Sequence, residues 1–322
     1  MRDDDPLWRP LRIGSLTLDR RVFMAPMAGI TTAPFRHSVR RWGAGLVFTE
    51  MISACGIRYR NRRTLDYLAS TPDEHPIGFQ LFGAEPAVVA AAALECVAAG
   101  ADLIDLNMAC PVRKVVKTGA GAALLDDRPR AVRMVAAVVA EVGPAVPVTV
   151  KIRAGLRAGD ELGRRLAPEF VAAGASAVCL HPRSAAQLYH GVADHALTRG
   201  LAAELPIPVI ASGDMESRAV ALDLVEAGVA GVMLARHAVG RPWLFDEVLC
   251  ASQAPSASQR ASEVRLFAEE VMQALGERAV GHLRQFWPRF RRSGCLSKEV
   301  SLALMRANDI AGLRALLATD FW

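Results

Sequence analysis

Short apolar runs alternate with alanine-rich helical patterns over most of the chain. The runs show almost no alternation of polar and apolar positions, which is typical of parallel strands covered on both faces. The predicted strands are Val22–Ala25, Leu46–Thr49, Ile77–Leu81, Leu103–Leu106, Val146–Ile152, Ala177–Leu180, Pro208–Ala211 and Gly231–Leu234. The predicted helices between them include Pro86–Ala98, Arg128–Val142, Asp160–Ala173 and Glu216–Ala227.

The number and spacing of these units predict an α/β fold, a (β/α)8 TIM barrel over residues 1–250. A doubly wound open sheet has the same alternation. Such a sheet normally carries a G-x-G-x-x-G fingerprint after its first strand, whereas Pro26-Met27-Ala28-Gly29 stands there in this chain. The barrel is therefore the favoured fold.

The pattern changes after Cys250. Residues 251–258 are rich in serine, alanine and proline, as in a linker. From Ala261 to Leu317 the chain predicts helices without strands. We therefore expect a small all-α C-terminal domain at residues 251–322.

Composition narrows the function only slightly. The chain has 322 residues and a net charge of +5, a mild excess that permits a polyanionic partner without requiring one. Its 6 cysteines form no C-x-x-C pair, which favours a reduced, cytoplasmic protein over a disulfide framework or a metal site. The N-terminus is charged and lacks an apolar signal core, and no apolar run is long enough to span a membrane.

Polar side chains stand where the predicted strands end, which is where barrel enzymes carry their catalytic groups. Cys110 follows a strand and precedes Pro111, so we expect it in a loop and not as a small buried hydrophobe. Lys151 lies inside an apolar run, which is costly unless the lysine meets an anion or a polar ligand. The other strand-end residues are Pro26, Met27, Glu50, Gln80, Asn107, His181, Arg183, Ser212, Gly213, Asp214, Ala235 and Arg236.

The last two loops predict a phosphate site. Barrels often bind phosphate with the loops after strands seven and eight, here Ser212-Gly213-Asp214 and Ala235-Arg236. Gly213 allows a close backbone approach, and Arg236 supplies a charged fork. FMN fits this pattern better than a dinucleotide, since no dinucleotide fingerprint is present.

Basic residues cluster in three places. Arg58, Arg60, Arg62 and Arg63 follow the second strand around Tyr59, and Arg113, Lys114 and Lys117 follow Cys110. Arg284, Arg289, Arg291 and Arg292 lie among Phe286, Trp287 and Phe290 in the helical tail. A charge run is usually a solvated surface, but arginines beside aromatic rings suit phosphate contact and base stacking, so we expect an RNA partner.

Several motifs together resemble the tRNA-dihydrouridine synthases, most closely the bacterial B-type branch, over about residues 10–250. They are Ala25-Pro-Met-Ala-Gly-Ile-Thr31, Pro34-Phe-Arg36, Thr49-Glu-Met51, Gln80, Asn107-Met-Ala-Cys-Pro111, Val148-Thr-Val-Lys-Ile-Arg153, His181-Pro-Arg183, Ser212-Gly-Asp214 and Gly240-Arg-Pro-Trp243.

The resemblance implies an FMN-bound barrel with a helical tRNA-binding domain. NADPH reduces the flavin, and hydride then passes from flavin N5 to C6 of a uridine in tRNA while Cys110 protonates C5. The implied cofactor-binding residues are Pro26, Met27, Ala28, Gln80, Lys151, His181, Ser212, Gly213, Asp214, Ala235 and Arg236. The implied substrate contacts are Asn107 and Arg183 for uracil, and Arg58, Arg60, Arg62 and Lys114 for the RNA.

The chain departs from the family pattern at four positions. Ala109 and Ala235 stand where glycine is usual, Ser212 stands for asparagine, and Pro182 stands for glycine. Every charged and thiol group of the motifs is retained, so we expect activity to be preserved. Two other readings compete with this one. A flavin-dependent barrel reductase of a small molecule leaves the basic clusters unexplained, and a non-catalytic RNA-binding protein leaves Lys151 and Cys110 unexplained.

Overall fold

The computed structural model describes residues 4–319. Residues 1–3 and 320–322 lie outside the described part, and with them the start of the charged N-terminus and the end of the predicted helical domain. Within residues 4–319, no helix combines the length and the apolar character that crossing a bilayer requires.

A ring of parallel strands forms the centre of the molecule. The strands are β3 Val22–Met24, β4 Val47–Phe48, β5 Ile52–Ser53, β6 Ile77–Phe82, β7 Leu103–Met108, β8 Val148–Arg153, β9 Ala177–His181, β10 Val209–Ser212 and β11 Gly231–Leu234. Their order around the ring is β3-β11-β10-β9-β8-β7-β6-β4, with β5 paired to the far end of β6. A bridge between Phe23 and Leu46 brings β3 and β4 together. The predicted (β/α)8 barrel is confirmed.

Some strand limits differ from the prediction, and proline explains two of them. The strands β8 and β10 begin directly after Pro147 and Pro208, because proline has no N–H to donate to a neighbouring strand. The strand β7 runs on to Met108, so Asn107 belongs to the strand itself. Cys110 lies beyond the end of β7, as the sequence predicted.

Helices cover the outside of the ring: α1 Ala33–Arg41, α2 Ala54–Arg58, α3 Arg62–Asp66, α4 Pro86–Ala98, α5 Arg113–Val116, α6 Arg128–Val142, α7 Leu162–Ala172, α8 His195–Glu204, α9 Arg218–Glu226 and α10 Leu244–Cys250. The predicted limits of α4 and α6 are confirmed. Both helices carry proline in the first turn, where a missing N–H costs nothing.

A small antiparallel hairpin that the sequence pattern did not indicate precedes the barrel, with β1 at Leu11–Ile13 and β2 at Leu16–Leu18. Ile13 and Leu18 are buried against Phe23 and Leu103. These residues form an apolar cluster at the amino ends of the barrel strands, so this end is closed and the opposite end is left for the site.

The chain beyond the barrel is helical: α11 Ala257–Leu275, α12 Arg278–Leu283, α13 Trp287–Arg292, α14 Lys298–Arg306 and α15 Ile310–Leu317. The helix α11 begins earlier than predicted because Ser256 and Gln259 form a capping box. The tail packs on α1 of the barrel, where Phe35 contacts Phe267 and Phe286 with ring centroids 6.3 and 6.0 Å apart. That residues 251–322 form a domain of their own stays a prediction.

Candidate active site

A cavity of about 480 Å³ opens at the carboxyl ends of the barrel strands. This volume is within the range of small-molecule sites, which is about 300–1,000 Å³. The cavity brings together the predicted residues Pro26, Met27, Ala28, Gln80, Asn107, Cys110, Lys151, His181, Ser212, Gly213, Asp214, Ala235 and Arg236. The structure thus gathers into one place residues from seven strands or the loops that follow them.

A chain of hydrogen bonds runs from the barrel interior to the loop that carries Cys110. Asp105, fully buried in β7, accepts from Gln80 Nε2 at 2.6 Å and from the Thr149 hydroxyl at 2.7 Å. Gln80 Oε1 accepts from Asn107 Nδ2 at 2.8 Å. Asn107 Oδ1 accepts from the Cys110 amide at 2.9 Å. One carboxylate therefore fixes how two side-chain amides are oriented.

The charge of Asp105 has a cost. Burial raises the pKa of Asp105 to about 6, although hydrogen bonds from Gln80 and Thr149 and the nearby Lys151 act in the opposite direction. A carboxylate without water is tolerated only where donors surround it. Asp105 is not among the predicted site residues, because it lies inside the apolar run Leu103–Leu106 that predicts β7. The signal was the carboxylate itself at a fully enclosed strand position.

The Cys110 thiol lies at the cavity and is partly buried. Burial raises its pKa, and the Val112 amide and Arg153 offset only part of that effect. The thiol form is therefore favoured at neutral pH. A protonated thiol can donate a proton to a bound substrate, whereas a nucleophile would need the thiolate.

Positive charge gathers on another side of the cavity. The pKa of His181 is lowered to about 2. Burial is the largest cause, and the positive charges of four neighbours lower it further: Lys151, Arg153, Arg183 and Arg236. The imidazole is therefore neutral, and the cations around it create a site for negative charge. The ammonium group of Lys151 is buried, and its one hydrogen bond among residues 4–319 is a long contact of 3.4 Å to the Ser212 hydroxyl.

Gly213 and Asp214 shape this cationic side. A Cβ at Gly213 would lie 2.6 Å from Cδ2 of His181, and its φ of +103° is unfavourable for other residues, so the position requires glycine. Burial by itself would raise the pKa of Asp214, but hydrogen bonds from Arg183 and the Ala193 amide bring it below its usual range. Asp214 is thus an ionised anchor for Arg183, with Arg236 3.8 Å away.

Arg183 is almost fully buried and does not line the cavity. Its guanidinium donates to both carboxylate oxygens of Asp214 at 2.7 and 2.8 Å. Its remaining N–H groups point to the carbonyls of His190 and Gly191 and to His181. A uracil contact, which stays a prediction, requires one of these acceptors to be given up.

The other predicted RNA contacts also lie outside the cavity. Arg58, Arg60, Arg62 and Lys114 are exposed on α2, α3 and α5 or between them, in segments that follow the carboxyl ends of barrel strands. Arg58 and Arg60 border a separate groove against α4, where Arg60 lies 3.3 Å from Glu95. Their role toward RNA stays a prediction.

Three further cavity residues were not among the predicted site residues. Arg153 donates to the carbonyls of Ala109, Ser184 and Leu188 and so ties the Cys110 loop to the loop after β9. Tyr189 is half exposed, with the Arg236 guanidinium 4.1 Å from its ring centre. Arg289 reaches the cavity from the C-terminal helices. Contacts between loops far apart in sequence leave no local pattern, so the strand ends alone do not predict these three residues.

The departures from the family pattern can be placed. Ala109, Ser212 and Ala235 all line the cavity, and Pro182 does not. The Ala109 amide and carbonyl are held by Asn107 and Arg153, so its added methyl group sits on a fixed backbone. The hydroxyl of Ser212 is the hydrogen-bond partner of Lys151.

An enclosed parallel barrel with a thiol and a group of cations at its mouth defines the class: a (β/α)8-barrel enzyme that binds a small anionic ligand or cofactor. The family model described as dihydrouridine synthase (Dus) matches residues 23–290. The chain therefore belongs to the dihydrouridine synthase family.

Curated relatives agree with this assignment. The chain is 39% identical over 239 residues to tRNA-dihydrouridine synthase B of Pseudomonas aeruginosa, which covers 74% of this chain and 71% of that protein. It is 40% identical to tRNA-dihydrouridine synthase B of Xanthomonas campestris, with the same shares of both chains. It is 42% identical to the probable tRNA-dihydrouridine synthase 1 of Synechocystis, over 75% of this chain and 68% of that one.

Solved structures show the same fold at low identity. Histamine dehydrogenase from Rhizobium superposes with a TM-score of 0.61 at 16% identity, over 76% of this chain and 48% of that chain. Morphinone reductase superposes with a TM-score of 0.57 at 14% identity, over 78% of this chain and 91% of that one. These likenesses support the barrel alone. The family makes the chain an oxidoreductase that depends on a flavin.

The cavity suits a flavin ring. Ala25, Met27, Ile30 and Met233 provide apolar surface for a planar ring. The buried ammonium of Lys151 retains donors for an electron-rich edge. No group of three or more His, Cys, Asp or Glu side chains among residues 4–319 is arranged to hold a metal ion.

Proposed function

We propose that this protein reduces the 5,6 double bond of a uridine in tRNA, with FMN as its flavin and NADPH as the reductant. The observation that carries the proposal is the placement of Cys110. It follows β7, four strands around the ring from β11, after which Arg236 stands. Cys110, the proposed proton donor, and Arg236, the proposed phosphate-binding cation, thus follow strands on opposite sides of the ring and line the same cavity. The curated relatives, all named as tRNA-dihydrouridine synthases, support the same substrate.

The residues of the chain have distinct proposed tasks toward the cofactor. Pro26, Met27 and Ala28 would line the flavin, while Gln80 and Lys151 would hold its ring and ribityl region, with His181 nearby. Ser212, Gly213, Asp214, Ala235 and Arg236 surround the phosphate. Bound FMN, once reduced, supplies the hydride that adds to C6 of the uracil. Lys151 offsets the negative charge of the reduced ring.

Cys110 completes the reduction. Hydride at C6 builds enolate-like charge on the uracil, and a proton must then reach C5. The Cys110 thiol gives its proton to C5 and becomes a thiolate, which takes a proton back from water. The product has gained one hydride and one proton, so the balance is that of a saturated 5,6 bond. The raised pKa of Cys110 keeps the donor loaded before each cycle.

Recognition of the base falls to Asn107 and Arg183 in this proposal. Asn107 has one N–H directed at Met51 Sδ, 3.0 Å away. Thioether sulfur is a weak acceptor, so a uracil oxygen can replace it at little cost. The target uridine must leave its stack, which costs a few kcal/mol. Contacts of Arg58, Arg60, Arg62 and Lys114 with RNA phosphates offset that cost.

The compartment proposed is the cytoplasm, which agrees with the free thiols of Cys55, Cys96, Cys110, Cys179 and Cys295. The decisive experiment maps dihydrouridine in tRNA from cells with and without this chain. We expect one or a few uridine positions to lose the modification and to regain it with purified protein, FMN and NADPH. Unchanged dihydrouridine in those cells, together with reduction of free uracil-like compounds, contradicts the proposal and favours a small-molecule reductase.

A further inference from the structure

The C-terminal helices contact a loop that lines the catalytic cavity. Gln285, between α12 and α13, donates from Nε2 to the carbonyl oxygen of Gly29 at 2.8 Å. The amide of Gly29 donates to the Glu50 carboxylate of the barrel. Gly29 directly follows Pro26, Met27 and Ala28 in the loop after β3. The tail therefore supports one wall of the cavity.

A second contact fixes where α13 lies. Gly240, in the loop after β11, packs against the backbone of α13 so closely that a Cβ there would lie 2.6 Å from the carbonyl carbon of Arg289. The hydroxyl of Ser293 donates to the Gly240 carbonyl at 2.6 Å. The glycine of the Gly240-Arg-Pro-Trp243 motif is thus required by the docking of α13.

This docking brings the side chain of Arg289 to the cavity. Its Nη1 donates to the Gln285 carbonyl at 2.6 Å. Among residues 4–319, no carboxylate lies within ion-pair distance of its guanidinium. Burial lowers the pKa of Arg289, and Arg292 lowers it further. A partly buried arginine that is held by a carbonyl and has no acid beside it is suited to bind an external anion.

We propose that Arg289 is a phosphate-binding residue of the catalytic cavity, supplied by the C-terminal helices. It stands beside the loops after β3 and β11, on the same side as Arg236 and across from Cys110. Two phosphate groups fit this chemistry: the phosphate of FMN and a backbone phosphate of the bound RNA. The RNA alternative rests on the proposed function, whereas the FMN alternative rests on flavin binding alone.

The experiment compares Arg289→Ala and Arg289→Lys with the wild type. The control is Arg278→Ala, an exposed arginine of the same helical region. Affinities for FMN and for riboflavin, which lacks the phosphate, are measured by flavin fluorescence, and tRNA affinity is measured over a range of salt concentrations. Loss of a charge-assisted contact is expected to weaken binding about ten- to a hundredfold, with partial retention in Arg289→Lys.

The two sources give different results. If Arg289 binds the phosphate of FMN, Arg289→Ala lowers the affinity for FMN and leaves the affinity for riboflavin unchanged. If Arg289 binds an RNA phosphate, the affinity for FMN is unchanged and the affinity for tRNA falls. The slope of log affinity against log salt then becomes less steep by about one. FMN and tRNA affinities that both equal those of Arg278→Ala overturn the proposal. Because tRNA binding is measured without turnover, a failure to form dihydrouridine counts against the proposed function and leaves this test valid.

A second variant displaces Arg289 without removing it. Gly240→Ala pushes the backbone of α13 away from the mouth, so we expect the same phosphate-dependent loss as in Arg289→Ala. Gly294→Ala is the matched control: its φ of +74° gives a similar backbone cost, but among residues 4–319 no atom beyond its own chain neighbours lies within 4 Å of the added methyl group. Equal FMN and tRNA affinities in these two variants contradict the proposal.

Discussion

The side-chain carbonyl of Gln80 accepts a hydrogen bond of 2.8 Å from the Asn107 amide, deep in the barrel mouth. The side-chain NH2 group of Gln80 donates to Asp105, and this orients the amide so that its carbonyl oxygen faces Asn107. A carboxylate accepts and never donates, so the direction of every bond along the chain to the Cys110 amide is determined. The loop that carries Cys110, the proposed proton donor, is therefore oriented from the interior of the barrel.

Asp105→Asn removes the charge and keeps the shape. The pKa of Asp105 is about 6 in the folded protein against an ordinary value of 3.8, so folding disfavours the ionised form. The free energy of unfolding of the wild type should therefore fall as the pH rises from about 4 to 6. Each pKa unit corresponds to about 1.4 kcal/mol, so the fall amounts to ~3 kcal/mol.

Denaturant unfolding at several pH values, with wild type and variant side by side, measures this effect. The difference in unfolding free energy should move in favour of Asp105→Asn as the pH rises. Asp73→Asn, which replaces an exposed carboxylate, serves as the control for the substitution itself. A constant difference across this pH range means that Asp105 is ionised as readily in the folded as in the unfolded chain.

Cys110→Ala removes the proposed acid. We expect NADPH to reduce the bound flavin at the wild-type rate, while dihydrouridine formation falls about a hundred- to ten-thousandfold. Loss of flavin absorbance without oxygen follows the first step, and nucleoside analysis of the tRNA follows the second. Cys55→Ala, at an exposed cysteine, is the control. Full turnover by Cys110→Ala would falsify the proton-donor role.

The pH dependence of the product-forming step tests the same thiol in another way. An acid must be protonated to act, and burial raises the pKa of Cys110 above its ordinary value. With the flavin reduced beforehand, the rate should stay level through neutral pH and decline only above the usual thiol pKa of about 8.5. A decline between pH 6 and 8 would mean that the thiol already ionises in this range or that a different group is the acid.

Arg58 and Arg62 should contribute to RNA binding through charge. Replacing both by alanine removes two proposed phosphate contacts, so tRNA affinity should fall. The slope of log affinity against log salt should become less steep by one to two, about one for each contact. Arg60 is left in place because Glu95 already pairs with it. The double variant Arg9→Ala, Arg12→Ala, near the closed end of the barrel, matches the charge lost. Equal salt slopes in the two double variants exclude this loop as a phosphate contact.

Much of this architecture was predictable because it repeats. Each buried strand is an apolar run, and most strand ends place a polar residue at one mouth, so the predicted cofactor residues between Pro26 and Arg236 all line the cavity. The role of Asp105 was not predicted, because a single charged residue inside an apolar run does not change the strand pattern. Arg153 belongs to a predicted motif and Arg289 to a predicted basic cluster, but their place at the cavity was not predictable because it depends on contacts between distant loops. The environment of Arg183 was likewise unreadable, since Asp214, which holds it, is 31 residues away in sequence.

The aromatic contact between Phe35 of α1 and Phe267 of α11 has a practical consequence. A protease that cuts the linker around Ser252 breaks one peptide bond and leaves this buried surface intact. The two fragments should then stay together and copurify. A barrel produced without its tail, in contrast, would present Phe35 to water and lose the Gln285 bond to Gly29. In any dissection of this enzyme, the two halves are best expressed together.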